Sequence, residues 1–342
     1  MIVTRFHDLE EIQCDVEFLT PAFLGGAEQN AELRSAPFKN LLRQWWRIAN
    51  GNLDPKELKL KEDDLFGAVA GESVSASKLR MSIIGSAKTS QAKIDLGTMK
   101  HPEVSFNSGN IDRALYLGYG PVTLKNGTRQ YLPANTHFIW NISYPNCYAH
   151  DIKKTLSYIH HFGTIGSRAR KGFGSISLKL FEGEVLPELS FPVSENLASL
   201  LLKKEYPHSL GTDKKGILAW EQCCTNWNDA MKLLGTLYME TRTNLQFPNS
   251  APVAIQKRHI LGYPVTNHKV HSWGGNEARM PSQIRLLVKK TNNEKLVARI
   301  LHLPHKLPKT WDNRLGSELS VWQAVHQFLD NQKKLRRMEV NS

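Results

Sequence analysis

An α+β chain of two β-α-β-β-α-β domains in tandem, the ferredoxin-like (RRM-like) arrangement, is the fold that the sequence predicts. Three observations carry the expectation. Residues 1–185 switch between strand-type and helix-type hydrophobic periodicity in that order. A polar stretch at 186–195 with Pro187 and Pro192 separates them from the rest. The length of 342 residues suits two ordinary domains better than one. The expected domains are 1–185 and 186–342, the second the more basic.

Residues 10–19, EEIQCDVEFL, alternate polar and apolar as a half-buried strand does, and Thr20-Pro21 ends it. A loop with Gly25-Gly26 follows. Residues 37–50, PFKNLLRQWWRIAN, put Phe38, Leu41, Leu42, Trp45 and Ala49 on one helical face. Pro37 suits the first turn and Gly51 the stop. LRMSII at 79–84 reads as a strand. Residues 85–135, rich in Gly, Asn, Ser and Thr, read as an insertion with short hairpins. THFIWNISY at 136–144 alternates again, 149–162 has a helical pattern, and 174–182 reads as the closing strand. In the second domain 218–239 has the pattern of one long amphipathic helix. Residues 283–290 (QIRLLVKK) and 295–303 (KLVARILHL) read as strands. About 317–337 reads as a helix with Leu319, Trp322, Val325 and Leu329 inward. The first strands of this domain carry no clear signal.

The apolar fraction of 41% is ample for packed cores. No run approaches the 18 apolar residues of a membrane-spanning helix. The start, MIVTRFHDLEEIQ, has acidic residues where a signal peptide needs an apolar stretch, so the expected location is cytoplasmic. Cys14, Cys147, Cys223 and Cys224 contain no C-x-x-C spacing, which points away from a zinc site or a disulfide framework. The formal net charge is +12. It is uneven: residues 1–185 hold 22 basic and 19 acidic side chains, whereas 257–314 hold 12 and 3. A local excess of that size attracts polyanions.

The glycine-rich segment 163–175, GTIGSRARKGFGS, lies between a helix and a strand. Its glycines permit positive φ and close approach of a ligand, and consecutive N–H groups in such a loop can cradle an anion. Arg168, Arg170 and Lys171 add three positive charges, so Gly166, Ser167, Arg168, Arg170, Lys171, Gly172 and Gly174 form a candidate phosphate site. It is neither a Walker A loop nor a Rossmann fingerprint, since Gly172 follows Lys171 and the loop precedes a strand. The other reading is a flexible connection with solvated charges. In the helix at 37–50, Lys39, Arg43 and Arg47 recur every four residues and form a basic stripe able to follow a phosphate backbone. Adjacent Trp45 and Trp46 point about a quarter-turn apart. One is expected in the core, the other, Trp46, at a groove where it meets a base or a partner. The stripe could equally be a solvated helix face.

These segments together resemble the RAMP superfamily (repeat-associated mysterious proteins) of CRISPR systems, whose hallmark is a glycine- and arginine-rich loop after the second helix of a ferredoxin-like domain. The match narrows in the N-terminal half. Thr20-Pro21-Ala22-Phe23-Leu24-Gly25-Gly26-Ala27, Glu32-Leu33-Arg34, Phe38-Lys39 with Leu41-Leu42-Arg43 and Trp45-Trp46-Arg47, and Leu65-Phe66-Gly67 are similar to the first-numbered Cmr subunit family of type III-B effector complexes. Leu261-Gly262-Tyr263-Pro264 and Arg279-Met280-Pro281-Ser282 resemble later patches of that family, with Pro281-Ser282 inverting the usual order. The resemblance implies a non-catalytic, RNA-binding subunit of an antiviral ribonucleoprotein. Such a subunit lies near the 3′ end of the CRISPR guide RNA, helps capture single-stranded target RNA, and contacts neighbouring RAMP backbone subunits of the Cmr-type complex. Target cleavage belongs to the backbone subunit there. No cofactor or metal is implied. Arg258 and Arg279, in the basic 257–314 region, join the RNA-binding candidates.

A rival is a metal-independent, guide-processing endoribonuclease using His160 or His161 beside the loop as general base. Adjacent histidines on a helix face different ways, and His161 neighbours Phe162, which favours a structural role. No H-E-x-x-H, D-x-D or G-x-S-x-G is present. A third reading is a scaffold whose basic patches meet only acidic proteins.

Overall fold

The computed structural model describes residues 8–26, 30–70, 73–125, 127–181, 184–189, 196–203, 210–246, 255–265, 268–275, 277–291, 293–308, 311 and 318–339. Strand β1 (Leu9–Phe18) buries Ile12, Cys14, Val16 and Phe18 and exposes Glu11 and Gln13 between them, as its alternation requires. Helix α1 (Ser35–Ala49) begins two residues before the expected start. Its buried face is wider than one stripe: Phe38, Leu41, Leu42, Trp45, Trp46, Ile48 and Ala49 are all inside. A helix absent from the sequence expectation explains the width. This is α2 (Pro55–Phe66), started by Asp54, whose carboxylate accepts from the Lys56 amide, with Pro55 in the first turn. Trp46 packs edge-on against Phe66 of α2, centroids 5.8 Å apart, while Trp45 stacks on Phe162 at 5.8 Å. Each fully buried aromatic contributes on the order of 2–3 kcal/mol.

Strand β2 (Arg80–Ile84) precedes the insertion, which holds the short helix α3 (Arg113–Gly118) and, among the described residues, two two-stranded pairs. Then come β3 (His137–Pro145), α4 (Ala149–Phe162) and β4 (Ile176–Leu180). The four strands pair antiparallel in the order β4-β1-β3-β2.

The second half opens with α5 (Leu197–Lys203). The single helix expected over 218–239 is instead strand β5 (Ala219–Cys223) followed by α6 (Trp227–Thr243). Asn226 starts the helix by accepting from the Asp229 amide. The apolar run Ile217-Leu218-Ala219-Trp220 fits either periodicity, and pairing with β7 decides for the strand. Strands β6 (Ile284–Lys290) and β7 (Leu296–His302) fall where expected. Helix α7 (Glu318–Asp330) stops short of 337, because Arg336–Arg337 pairs with β5 as strand β8. The order in this sheet is β6-β7-β5-β8. Counted within its own half, each sheet therefore runs fourth, first, third, second, and each half reads strand, helix, strand, strand, helix, strand once the additional helices α2, α3 and α5 and the short hairpins are set aside.

The two cores interpenetrate. Leu287, Leu301 and Met338 pack with the first half, and Phe23, Leu117 and Phe173 with the second. Of the expected boundary at 186–195, residues 190–195 lie outside the described residues. Among those described, no helix is long and apolar enough to cross a membrane.

Candidate nucleic-acid interface

The glycine-rich loop has a buried foot and an exposed tip. At the foot, Gly174 sits at φ +62 and a Cβ there would meet the Ile165 carbonyl oxygen at 1.9 Å. Gly172 sits at φ +92 and a Cβ would meet Met231 Sδ of α6 at 2.6 Å. Only glycine fits either place. Phe173 between them is fully buried against Phe23, centroids 5.1 Å apart, and anchors the loop. Thr20 Oγ1 donates to the Gly172 carbonyl (2.7 Å) and accepts from the Ser175 amide (3.0 Å). The loop also covers the free edge of β6. Leu286 N–H donates to the Arg170 carbonyl (3.1 Å) and Val288 N–H to Ser175 Oγ (3.0 Å), satisfying an edge that would otherwise stay open.

The phosphate-cradling role expected for Lys171, Gly172 and Gly174 is thereby corrected. All three turn inward. The Lys171 ammonium lies 3.5 Å from the centroid of the Tyr238 ring. Burial raises the Tyr238 hydroxyl, but Lys171 and Arg242 outweigh it and hold the group down at about 8. The tip faces solvent. Gly166, Ser167, Arg168 and Arg170 are exposed. Ser167 N–H is bonded to the Phe23 carbonyl, and Lys171 N–H closes a turn onto the Arg168 carbonyl. Among the described residues, the N–H groups of Gly166, Arg168, Ala169 and Arg170 find no acceptor in the chain. Arg168 itself is left-handed, φ +59. Unbonded amides in a turn that carries two arginines are the kind of group that anions can occupy.

Buried cations from the second half hold this loop in place. Lys289 of β6, 1% exposed, donates from Nζ to the carbonyls of Ile159 (3.2 Å), Gly163 (2.7 Å) and Ile176 (2.6 Å). Arg299 of β7 donates to the His161 carbonyl (2.7 Å) while pairing with Glu221 (2.6 Å). Both meet the C-terminus of α4, where cations complement the helix dipole and the last carbonyls lack partners. Arg285 lies over Trp45, 5.5 Å from its centroid. Sequence reasoning missed these three roles and counted their charges toward a surface for RNA. The signal was there: Arg285, Leu287 and Lys289 share one face of an apolar strand.

The basic stripe of α1 is likewise partly neutralised. Glu62 of α2, nearly fully buried, accepts from Arg43 Nε at 2.5 Å and lies 3.5 Å from Arg47 Nη1. Lys39 has no acidic partner among the described residues. Burial and the neighbouring Arg43 lower its pKa. Lys39 and Arg43 line a groove of about 520 Å³ with Lys59, Asp63, Ser75 and Ser77. Trp46, expected at a groove, is sealed in the core, because α2 covers the face that one domain layer alone would leave open.

Arg258 is also interior. It forms a two-pronged pair with Glu103 of the insertion at 2.5 and 2.7 Å, so this cation ties the insertion to the second half and offers no face to RNA. Arg279 is exposed. The patches Leu261-Gly262-Tyr263-Pro264 and Arg279-Met280-Pro281-Ser282 come together, Tyr263 and Met280 exchanging both backbone bonds at 2.9 and 3.0 Å. His160 is bound through Nδ1 to the Leu178 backbone at 2.9 Å. Burial, then Lys289, lowers its pKa to about 4, and burial, then His160, lowers His161 to about 2.

Residues 15–177 match the RAMP superfamily. No curated protein matches the chain in sequence. The apo crystal structure of Cmr1 from Pyrococcus furiosus is similar with a TM-score of 0.53 at 14% identity, covering 96% of this chain and 98% of that one. A chain of the cryo-EM structure of the type III-B Cmr-beta bound to cognate target RNA is similar with a TM-score of 0.50 at 11% identity, covering 93% and 100%. The resemblance read from the loop and the paired tryptophans is borne out by these matches, and at such identities the structural likeness is one of fold.

Proposed function

We propose that this chain, RAMP-like over residues 15–177 and similar in fold to Cmr1 over its length, is a non-catalytic RNA-binding subunit of a Cmr-type (type III) CRISPR effector ribonucleoprotein. Both halves are variants of one ferredoxin-like unit, which the shared strand order supports. The carrying observation is the loop tip: unbonded amides at 166 and 168–170 with Arg168 and Arg170, fixed on a foot buried between the halves. Such a tip binds backbone phosphate without reading sequence, and base pairing of the guide supplies the sequence. The subunit caps the guide near its 3′ end in the cytoplasm, helps capture single-stranded target RNA, and docks on neighbouring RAMP backbone subunits.

The endoribonuclease reading finds less support. A general base needs a pKa near the working pH, and both candidate imidazoles are held far below it, with His160 Nδ1 bound to the Leu178 backbone of β4.

Filter binding of unrelated single-stranded RNAs across a salt series tests the proposal. Wild type should bind all of them, with log affinity falling linearly in log salt. Arg168→Ala and Arg170→Ala should each make the slope shallower by about one unit. Affinity independent of salt would end the phosphate-cradle reading.

A further inference from the structure

The insertion brings the turn that carries Tyr119 up to the loop. Helix α3 lays its last turn on the loop's anchor, for a Cβ on Gly118 would come within 3.2 Å of the Phe173 ring. The chain leaves α3 at Tyr119-Gly120, and a Cβ on Gly120 would lie 3.6 Å from Arg168 Nη2. The backbone of Tyr119-Gly120 thus passes beside the Arg168 guanidinium. The Tyr119 side chain is 67% exposed, whereas the other described tyrosines are buried or half-buried. An exposed ring means little alone. Here the backbone that carries it passes beside Arg168, at the edge of a segment without acid. Residues 113–150 contain no Asp or Glu, and the hairpin that follows Tyr119 exposes Lys125 and Arg129.

We propose that Tyr119 is a base-stacking residue: single-stranded RNA whose phosphate lies on residues 166–170 places an adjacent base on the Tyr119 ring. The inference rests on the RNA-binding reading above and adds a second wall, supplied by the insertion, to the site. Aromatic faces accept any unpaired base, whereas a duplex keeps its bases stacked on one another. The preference is therefore for single strands without regard to sequence.

The test uses the full chain, a single-stranded RNA carrying 2-aminopurine, and the same RNA annealed to its complement. Tyr119→Ala should weaken single-strand binding by about 5- to 150-fold and abolish the fluorescence quenching of the probe base. Tyr119→Phe should bind and quench like wild type. The salt slope should be the same in all three, since no phosphate contact changes, and duplex binding should be little affected. If Tyr119→Ala binds and quenches like wild type while Arg168→Ala binds weakly, the stacking role is wrong and the cradle stands. If Tyr119→Ala keeps its RNA affinity but fails to join its neighbouring subunits, the ring belongs to a protein contact and the inference is overturned. If wild type itself binds no RNA, the underlying reading fails first.

Discussion

The Lys289 ammonium donates to the Gly163 carbonyl oxygen at 2.7 Å, across 126 residues of sequence. Through this contact a strand of the second half sets the position from which the first half's glycine loop departs. Lys289→Met keeps the aliphatic stem and leaves three buried carbonyls without their cation. We expect a loss on the order of 2–3 kcal/mol in urea unfolding, faster amide exchange over 163–175, and weaker RNA binding. A variant with unaltered exchange in the loop would show that Lys289 does not hold it.

Gly172→Ala and Arg170→Ala should separate stability from binding. The first puts a side chain at positive φ and against Met231 Sδ, so about 1–2 kcal/mol of backbone strain adds to a packing clash. The second removes an exposed guanidinium and should leave the unfolding midpoint in place while weakening RNA binding. The reverse pattern, a stable Gly172→Ala that binds poorly, would return Gly172 to the phosphate site.

Arg43→Ala should destabilise the protein by about 2 kcal/mol, because it strips the nearest cation from buried Glu62. The figure is held low because Arg43 is 38% exposed and Arg47 still shares the carboxylate. Arg43→Met with Glu62→Leu should recover most of it. Lys39→Ala, which breaks no ion pair, isolates the contribution of α1 to RNA binding. Its unfolding midpoint should match wild type and its salt slope should drop by about one unit.

Acid should destabilise the second half. Burial, then Arg337, holds His326 at about 4 instead of 6.5 despite Asp213 and Asp330, and burial, then the neighbouring His326, pushes His302, 2.9 Å away, well below its ordinary value. The unfolded chain takes up a proton near pH 6.5 that folded His326 refuses until about 4. The stability from this group is therefore complete above about 6.5 and falls as pH drops toward 4. His160, held at about 4, acts in the same direction. Urea midpoints measured between pH 7.5 and 4.5 should fall on acidification, and His326→Gln should fall less. A midpoint that rises with acid would contradict the buried neutral pair.

What the sequence determined by itself was local. Alternation located β1 and β3, short apolar runs located β6 and β7, helical spacing located α1 and α4, and glycine among arginines located the loop. Those signals depend only on neighbours along the chain: a strand half-buried on one face must alternate, and a tight turn needs glycine. Where an apolar run fitted two periods, as at 217–220, tertiary pairing chose. Charge was the least legible. Arg258, Arg285, Lys289 and Arg299 look in sequence like part of one basic surface, yet each is 5% exposed or less, held by carbonyls, a carboxylate or an aromatic ring. Composition records that a cation exists. Whether it faces solvent depends on which carbonyls and carboxylates the folded chain brings within 3 Å of it. Those partners lie 13 to 155 residues away, beyond the reach of any local pattern.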